Sequence, residues 1–218
     1  MGKCYIVGGG PSLINTDLRV LDNEKTIGIN KSIFYLANPS YFITMDYTII
    51  RKLDMSQLLL IKCPRFFVVN LSTPYLQVRR GAICDTRSNK IYQDVYDCFD
   101  TIVLSRTEEG IGTSFRDFRC GNNSGYCALQ LAVALGYTEI YLLGIDLTVD
   151  GGHTHFHQGY RETYSLFTKK LPNYYKVFVN GLEELSRKLP HIQVRSCSPI
   201  STLNAVIPYV PFEETLWE

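Results

Sequence analysis

Cys4-Tyr5-Ile6-Val7-Gly8-Gly9-Gly10-Pro11-Ser12-Leu13 opens the chain, and its reading decides the fold class. A short apolar run feeds a glycine cluster, and a proline follows at the position where a helix start tolerates one best. This is the layout of a strand entering a crossover of a parallel sheet. Glycines let backbone N–H groups come close to an oxyanion, and a helix N-terminus facing a phosphate is electrostatically favourable. Gly8, Gly9, Gly10, Pro11 and Ser12 are therefore candidate phosphate-binding residues; the plainer alternative is a tight strand-to-helix turn. The dinucleotide fingerprint is not met, because Leu13 stands where its third glycine belongs and the second strand ends at Asn30, not at an acidic residue. No GxxxxGK[ST] occurs, which excludes a P-loop.

Outward from that turn the same alternation continues. Apolar strands are expected at 4–7, 26–29, 41–45, 66–69, 101–104, 139–143 and 192–196. Runs this continuously apolar suit strands covered on both faces. Helices are expected at 124–135, stopping at Gly136, and at 174–189, stopping before Pro190. The expected fold class is α/β: a single Rossmann-like domain over residues 1–218, with a mostly parallel twisted sheet and helices on both faces. Residues 72–100 show little periodicity and read as an irregular excursion or lid.

Composition narrows the function classes. A chain of 218 residues suits one domain, and 45% hydrophobic with 20% charged residues is ordinary for a globular protein. The net charge of +1 gives no electrostatic case for nucleic acid or an anionic membrane as partner. Seven cysteines without a CxxC read as reduced, buried small hydrophobes. The N-terminus lacks the layout of a signal peptide, and the most apolar stretch, 128–149, divides into a helix and a strand better than it spans a membrane. A cytoplasmic location without a transmembrane segment is expected.

Polar residues recur where strands end: Asn30, Asp46, and Gly144 with Asp146. Ligands of open α/β sheets sit outside the carboxyl ends of strands. Asn30 suits a base or ribose edge, and Asp46 an acceptor group or a metal. Asn123-Ser124-Gly125 opens the first helix; one residue there is an N-cap, and the others leave amides for a second anionic contact. Gly151-Gly152-His153-Thr154-His155-Phe156-His157 holds three of the four histidines. A histidine near its ordinary pKa suits a general base for a hydroxyl nucleophile. Alternation would put all three on one face, which also suits zinc; a polar surface loop is the bland alternative. The hydroxyls of Cys197-Ser198-Pro199-Ile200-Ser201-Thr202-Leu203-Asn204 either close a pocket or make an ordinary strand exit.

Taken in order, Ile6 to Leu13, Gly28-Ile29-Asn30, Asn123-Ser124-Gly125, Leu142 to Asp146, Gly151 to His155 and Cys197 to Ser201 resemble one superfamily. It is the MptE-like (DUF115) superfamily, which joins bacterial lipooligosaccharide sialyltransferases, motility accessory factor flagellin glycosyltransferases and archaeal 6-hydroxymethylpterin diphosphokinases. The resemblance to the sialyltransferases implies CMP-sialic acid as donor, no metal, and nucleotide contacts at Gly8, Gly10, Ser12, Asn30, Ser124 and Gly125. Where that group has tyrosines for the CMP phosphate, this chain offers Thr148 and Thr154. Where it has a base histidine before the last helix, this chain reads Leu171-Pro172-Asn173-Tyr174-Tyr175, so His155 is the expected replacement. The Gly-Gly-x-Thr-His block resembles the flagellin glycosyltransferase and diphosphokinase groups instead. The last group moves diphosphate from ATP with magnesium, for which Asp46 and Asp146 are the candidate ligands.

The resulting expectation is a glycosyltransferase that takes a sugar from a nucleotide-activated donor, CMP-linked, to a hydroxyl acceptor on a glycan or small molecule, with His155 and Asp46 catalytic and no resident metal. The alternatives are a magnesium-dependent diphosphokinase and a non-catalytic nucleotide-binding protein. Oligomeric state, and the roles of His153 and His157, stay open.

Overall fold

The computed structural model describes residues 2–46, 55–72, 76–79, 82–85, 90–92, 98–106, 109–157 and 164–217. Among the described residues ten strands occur: β1 (Lys3–Val7), β2 (Thr26–Ile29), β3 (Tyr41–Thr44), β4 (Arg65–Asn70), β5 (Leu76–Arg79), β6 (Ala82–Asp85), β7 (Lys90–Tyr92), β8 (Thr101–Ser105), β9 (Glu139–Leu143) and β10 (Gln193–Ser196). The helices are α1 (Met55–Leu59), α2 (Ser124–Ala134) and α3 (Tyr164–Lys188). Seven strands form one sheet in the order β10-β9-β1-β2-β3-β4-β8, and every pairing in it is parallel. All seven strands expected from the sequence are present.

Alternation along the central strands divides the core in two. Cys4 and Ile6 of β1 and Ile140 and Leu142 of β9 face one layer, built from α2 and α3. Tyr5 and Val7, with Tyr141 and Leu143, face the other. α2 is buried from Ser124 to Val133, because it lies between the sheet and α3. Phe178, Gly181, Leu182 and Leu185 recur at helical spacing and form the inner stripe of α3. The Phe178 ring meets Tyr126 edge-on at 5.4 Å. The opposite layer is closed by short 3-10 turns, Pro11–Leu13, Leu18–Leu21 and Phe212–Trp217, whose Leu13, Leu18, Leu21 and Phe212 are buried against Tyr5 and Tyr141.

Three local expectations are corrected. The crossover after β1 carries no α-helix; Pro11 starts a single 3-10 turn that ends at Leu13. α3 begins ten residues before the expected start and runs through Pro172. Its first turns are mostly exposed, and the buried stripe begins only at Phe178, so periodicity marked the packed half alone. The 72–100 excursion is not irregular: β5, β6 and β7 form a separate antiparallel sheet. The rest of the expected lid (73–75, 80–81, 86–89 and 93–97) lies outside the described residues.

The topology has a switch point. From β1 the chain moves across β2, β3 and β4 to β8, then returns through α2 to lay β9 on the other side of β1. Open parallel sheets bind ligands at the carboxyl ends of the strands flanking such a reversal. Ser32, fully buried, fixes the neighbouring edge: its hydroxyl lies 2.7 Å from the Ile29 carbonyl and also reaches the Val7 carbonyl, and it accepts the Ile29 N–H at 2.9 Å. Ser32→Ala strands these backbone groups in the core, and a loss of about 1–3 kcal/mol is expected in denaturant unfolding.

Candidate active site

Gly8-Gly9-Gly10 leaves β1 at the switch point and is tied to the end of β9. The Gly8 N–H donates to the Leu143 carbonyl at 2.8 Å, and the Gly10 N–H to the Gly144 carbonyl at 2.8 Å. Asp146, 2% exposed, takes the Ser12 N–H on Oδ2 at 2.8 Å and the Ser12 hydroxyl on Oδ1 at 2.7 Å. Gly10 is required by this approach, since a Cβ there would fall on the Asp146 carboxylate. Gly144 adopts φ +62 to deliver its carbonyl to the turn. The 197–204 segment supports the same exit: the Ser201 hydroxyl donates to the Ile145 carbonyl at 2.8 Å, and the Thr202 N–H to the Asp146 carbonyl at 3.0 Å.

These bonds correct two expectations. The amides of Gly8, Gly10 and Ser12 serve the protein and are not exposed to an anion. Asp146 is the clamp of the turn, with both carboxylate oxygens engaged, and not an open metal ligand. In the turn, the Gly9 N–H is the amide left without an acceptor among the described residues.

The second expected donor cluster lies alongside. A Cβ on Gly125 would sit 3.1 Å from the Ile145 δ1 methyl, and one on Gly8 would meet the same methyl at 2.5 Å, so the glycine turn and the start of α2 flank one side chain. Asn123 is a plain N-cap, its Oδ1 accepting the Tyr126 N–H at 3.1 Å. The N–H groups of Ser124 and Gly125 keep no internal acceptor among the described residues, as expected in the first turn of a helix. The Ser124 hydroxyl accepts the Met45 N–H at 3.2 Å and so holds the exit of β3 to α2.

Asn30 follows β2 directly with φ +54, a left-handed conformation that asparagine tolerates. Thr44, at the end of β3, donates its hydroxyl to Asn30 Oδ1 at 2.7 Å and accepts the Asp46 N–H at 3.0 Å. Asn30, Thr44 and Asp46 are thus one connected row across the strand ends. Thr148 is half-buried, two residues beyond Asp146. Sequence patterning did not single out Thr44, nor Asn70, whose Nδ2 donates to Asn122 Oδ1 at 2.9 Å and ties the end of β4 to the approach of α2.

The histidine segment docks on the glycine turn through Phe156, whose N–H donates to the Gly9 carbonyl at 3.0 Å. His155 packs on Gly9, with its Cδ2 3.0 Å from the position of a Cβ there. Its Nδ1 lies 3.0 Å from Thr154 Oγ1, so that threonine is engaged with the imidazole. His157, 8% exposed, has its ring 5.7 Å from that of His155 and stacks on Tyr35. His153 does not join them: it is exposed in a turn, its backbone paired with Asp150. The segment bends there, which defeats the expected alternation. Among the described residues no group of three or more His, Cys, Asp or Glu is arranged to hold a metal ion. Burial, and secondarily the neighbouring His157, holds the His155 imidazole down to about 4, so it is neutral near pH 7.

The chain shares its fold with bacterial sialyltransferases. The sialyltransferase CstII from Campylobacter jejuni, in complex with cytidine-5'-monophosphate, superposes with a TM-score of 0.53 and 19% identity, covering 97% of this chain and 86% of that one. The same enzyme with a trisaccharide acceptor and CMP gives 0.51 and 22%, over 96% and 86%. The MAf glycosyltransferase from Magnetospirillum magneticum AMB-1 gives 0.53 and 16% over 96% of this chain, which spans 33% of that larger protein. No protein-family model matches the sequence, and no curated protein matches it. At the level of fold, these architectures are those of two of the three groups that the sequence blocks resemble, the sialyltransferases and the flagellin glycosyltransferases. Among the described residues no helix is long and apolar enough to cross a membrane. The expected motif before the last helix, 171–175, falls inside α3.

Two outcomes follow from this geometry. Asp146→Asn puts an N–H₂ against either the amide or the hydroxyl of Ser12, and a loss of about 1.5–3 kcal/mol is expected in denaturant unfolding. The folded chain resists protonating His155 until about pH 4, whereas the unfolded chain protonates it near 6.5. Its stabilising contribution is therefore complete above pH 6.5 and is lost as pH falls toward 4. Unfolding measured across that window should show a shallower decline for His155→Gln than for the unsubstituted protein; parallel curves would contradict the assignment.

Proposed function

We propose that the protein is a glycosyltransferase that takes a sugar from a CMP-activated donor and passes it to a hydroxyl acceptor on a glycan or small molecule. One observation carries the reading: the unengaged N–H donors of Gly9, Ser124 and Gly125 and the Asn30 carboxamide lie at the carboxyl ends of the sheet strands, Gly9 after β1, Asn30 after β2, and the start of α2 against Met45 after β3 and Ile145 after β9. The fold around them is that of enzymes solved with CMP. Donors fixed by the fold need no reorganisation when a phosphate oxygen gains charge as the glycosidic bond breaks, so they stabilise the departing nucleotide. Holding donor and acceptor in one orientation supplies the remainder.

His155 is the general base of this proposal. Its imidazole is neutral at working pH and so can accept the acceptor's hydroxyl proton. A base held near 4 is weak. An anionic donor seated over Gly9, against which His155 packs, draws that value upward by direct attraction. Asp46, at the end of the Asn30–Thr44 row, orients the acceptor hydroxyl, and Thr148 borders the phosphate. The magnesium-dependent diphosphokinase alternative is weaker, because its candidate ligand Asp146 is buried with both carboxylate oxygens already accepting bonds from Ser12.

Thermal unfolding with CMP, UDP, GDP and ATP, each with and without magnesium, tests the reading. CMP is expected to raise the midpoint most, with no need of magnesium, since a ligand of the native state stabilises by mass action. His155→Ala should reduce sugar transfer by roughly 10²- to 10⁴-fold while leaving the CMP shift nearly intact. A larger shift with ATP, abolished by a chelator, would support the diphosphokinase instead.

A further inference from the structure

Asn30 meets the site with half of its carboxamide already committed, and Thr44 determines which half. The Asp46 backbone N–H donates to Thr44 Oγ1 at 3.0 Å, and a backbone amide offers no other polarity at that contact. Thr44 is fully buried, so its hydroxyl proton needs an acceptor within the protein. The Asn30 side chain supplies it at 2.7 Å. The atom in contact must therefore be Oδ1, since an N–H₂ group there would leave two donors facing each other. The Nδ2 group, with no acceptor among the described residues, is what Asn30 offers to a ligand.

We propose that Thr44 is a positioning residue that makes Asn30 a donor-only contact, so that this corner of the site admits an acceptor atom of the bound nucleotide. Two parts of a cytidine nucleotide share that chemistry: a phosphate oxygen, and the O2–N3 edge of cytosine. Uracil presents an N3–H at the equivalent place and would oppose the Asn30 N–H₂ group. The proposal rests on the nucleotide-binding reading above. It adds that the polarity of the contact is set one residue away from the ligand, by a chain of two hydrogen bonds that starts at a main-chain amide.

The test uses the full chain and three substitutions, with affinities for CMP, UMP and cytidine measured by isothermal titration calorimetry. Thr44→Val keeps the shape but removes the relay, leaving the Asn30 carboxamide free to rotate; CMP affinity is expected to fall roughly tenfold. Thr44→Ser restores the hydroxyl and should bring CMP affinity back to within about twofold of the unsubstituted protein, a rescue that packing alone would not give. Asn30→Asp leaves the Thr44 bond in place and exchanges the donor for an oxygen, so it should lose CMP at least as far, and it carries the test should Thr44→Val not fold. If cytidine weakens with CMP in Thr44→Val while UMP does not, the contact is the base edge; if CMP and UMP weaken together and cytidine does not, it is the phosphate. Unchanged CMP binding in Thr44→Val, a Thr44→Ser protein as weak as Thr44→Val, or retained affinity in Asn30→Asp would each overturn the proposal. Failure of the unsubstituted protein to bind any of the three ligands would overturn the nucleotide reading and this proposal together.

Discussion

The bidentate grip of Asp146 on Ser12 is the contact on which the site depends. A parallel sheet that reverses its order leaves a gap between two strands whose exits diverge, here β1 and β9. In this chain the gap is sewn shut at its base by the Gly8–Leu143 and Gly10–Gly144 backbone bonds, then locked by the carboxylate above them. A buried carboxylate is costly unless charge-assisted bonds satisfy it, and Ser12 provides two. The Ser201 and Thr202 contacts hold the β9 exit from the other side. What remains open to a ligand is a rim whose few unengaged donors are fixed in place.

That arrangement changes where the binding energy of the proposed phosphate would come from. With no α-helix after β1, no helix dipole points at the glycine turn, and the dipole available is that of α2, whose start borders Ile145 together with Gly8. The first crossover contributes the Gly9 amide and the surface on which the histidine segment docks. Gly9 therefore serves twice: its N–H keeps no acceptor among the described residues, while its carbonyl receives Phe156 and its bare Cα admits the His155 ring. A side chain at Gly9 would press on the imidazole, so the absence of a Cβ lets the proposed base pack directly on the glycine turn.

The parallel sheet was legible because each strand is buried on both faces, which writes it into the sequence as an unbroken apolar run. The helix at 124–135 was legible from its cap and its terminal Gly136. The place of the candidate site's residues in the fold was legible too, since Asn30 and Asp46 follow strands and Asn123-Ser124-Gly125 opens a helix, as read. What sequence could not disclose was the fate of individual polar groups. Glycines announce that amides are accessible, but Gly8 and Gly10 turn theirs toward β9, a partner about 135 residues away in the chain. Asp146 looked like a ligand for the same reason: a carboxylate's partner is a tertiary fact. The first turns of α3 were not legible because they are mostly exposed and carry no apolar stripe, and Pro172 within them costs one backbone bond that the helix absorbs. The histidines misled because period-two alternation holds only in extended backbone, and the turn at Gly151–Gly152, both at positive φ, breaks it before His155. Thr44 was invisible because a buried threonine at the end of a strand has no pattern of its own; its significance is its place between an amide and a carboxamide.

The donors so far named at the rim share one property that bears on how the site would work: none of them is cationic. Gly9, Ser124, Gly125 and Asn30 present N–H dipoles, and His155 is kept neutral by its surroundings. Lysine or arginine would hold a charged nucleotide strongly before and after reaction, and such uniform binding accelerates nothing. Fixed dipoles gain most where charge grows during bond cleavage. In the proposed reaction the neutral histidine would fit the same logic, because negative charge developing on a leaving phosphate would raise its affinity for a proton as an acceptor hydroxyl gives one up. The hydrogen bonds that orient these groups run inward, to Thr44, Thr154, Asp146 and the end of β9, so the geometry of the rim is set by the core and does not wait for a ligand to arrange it.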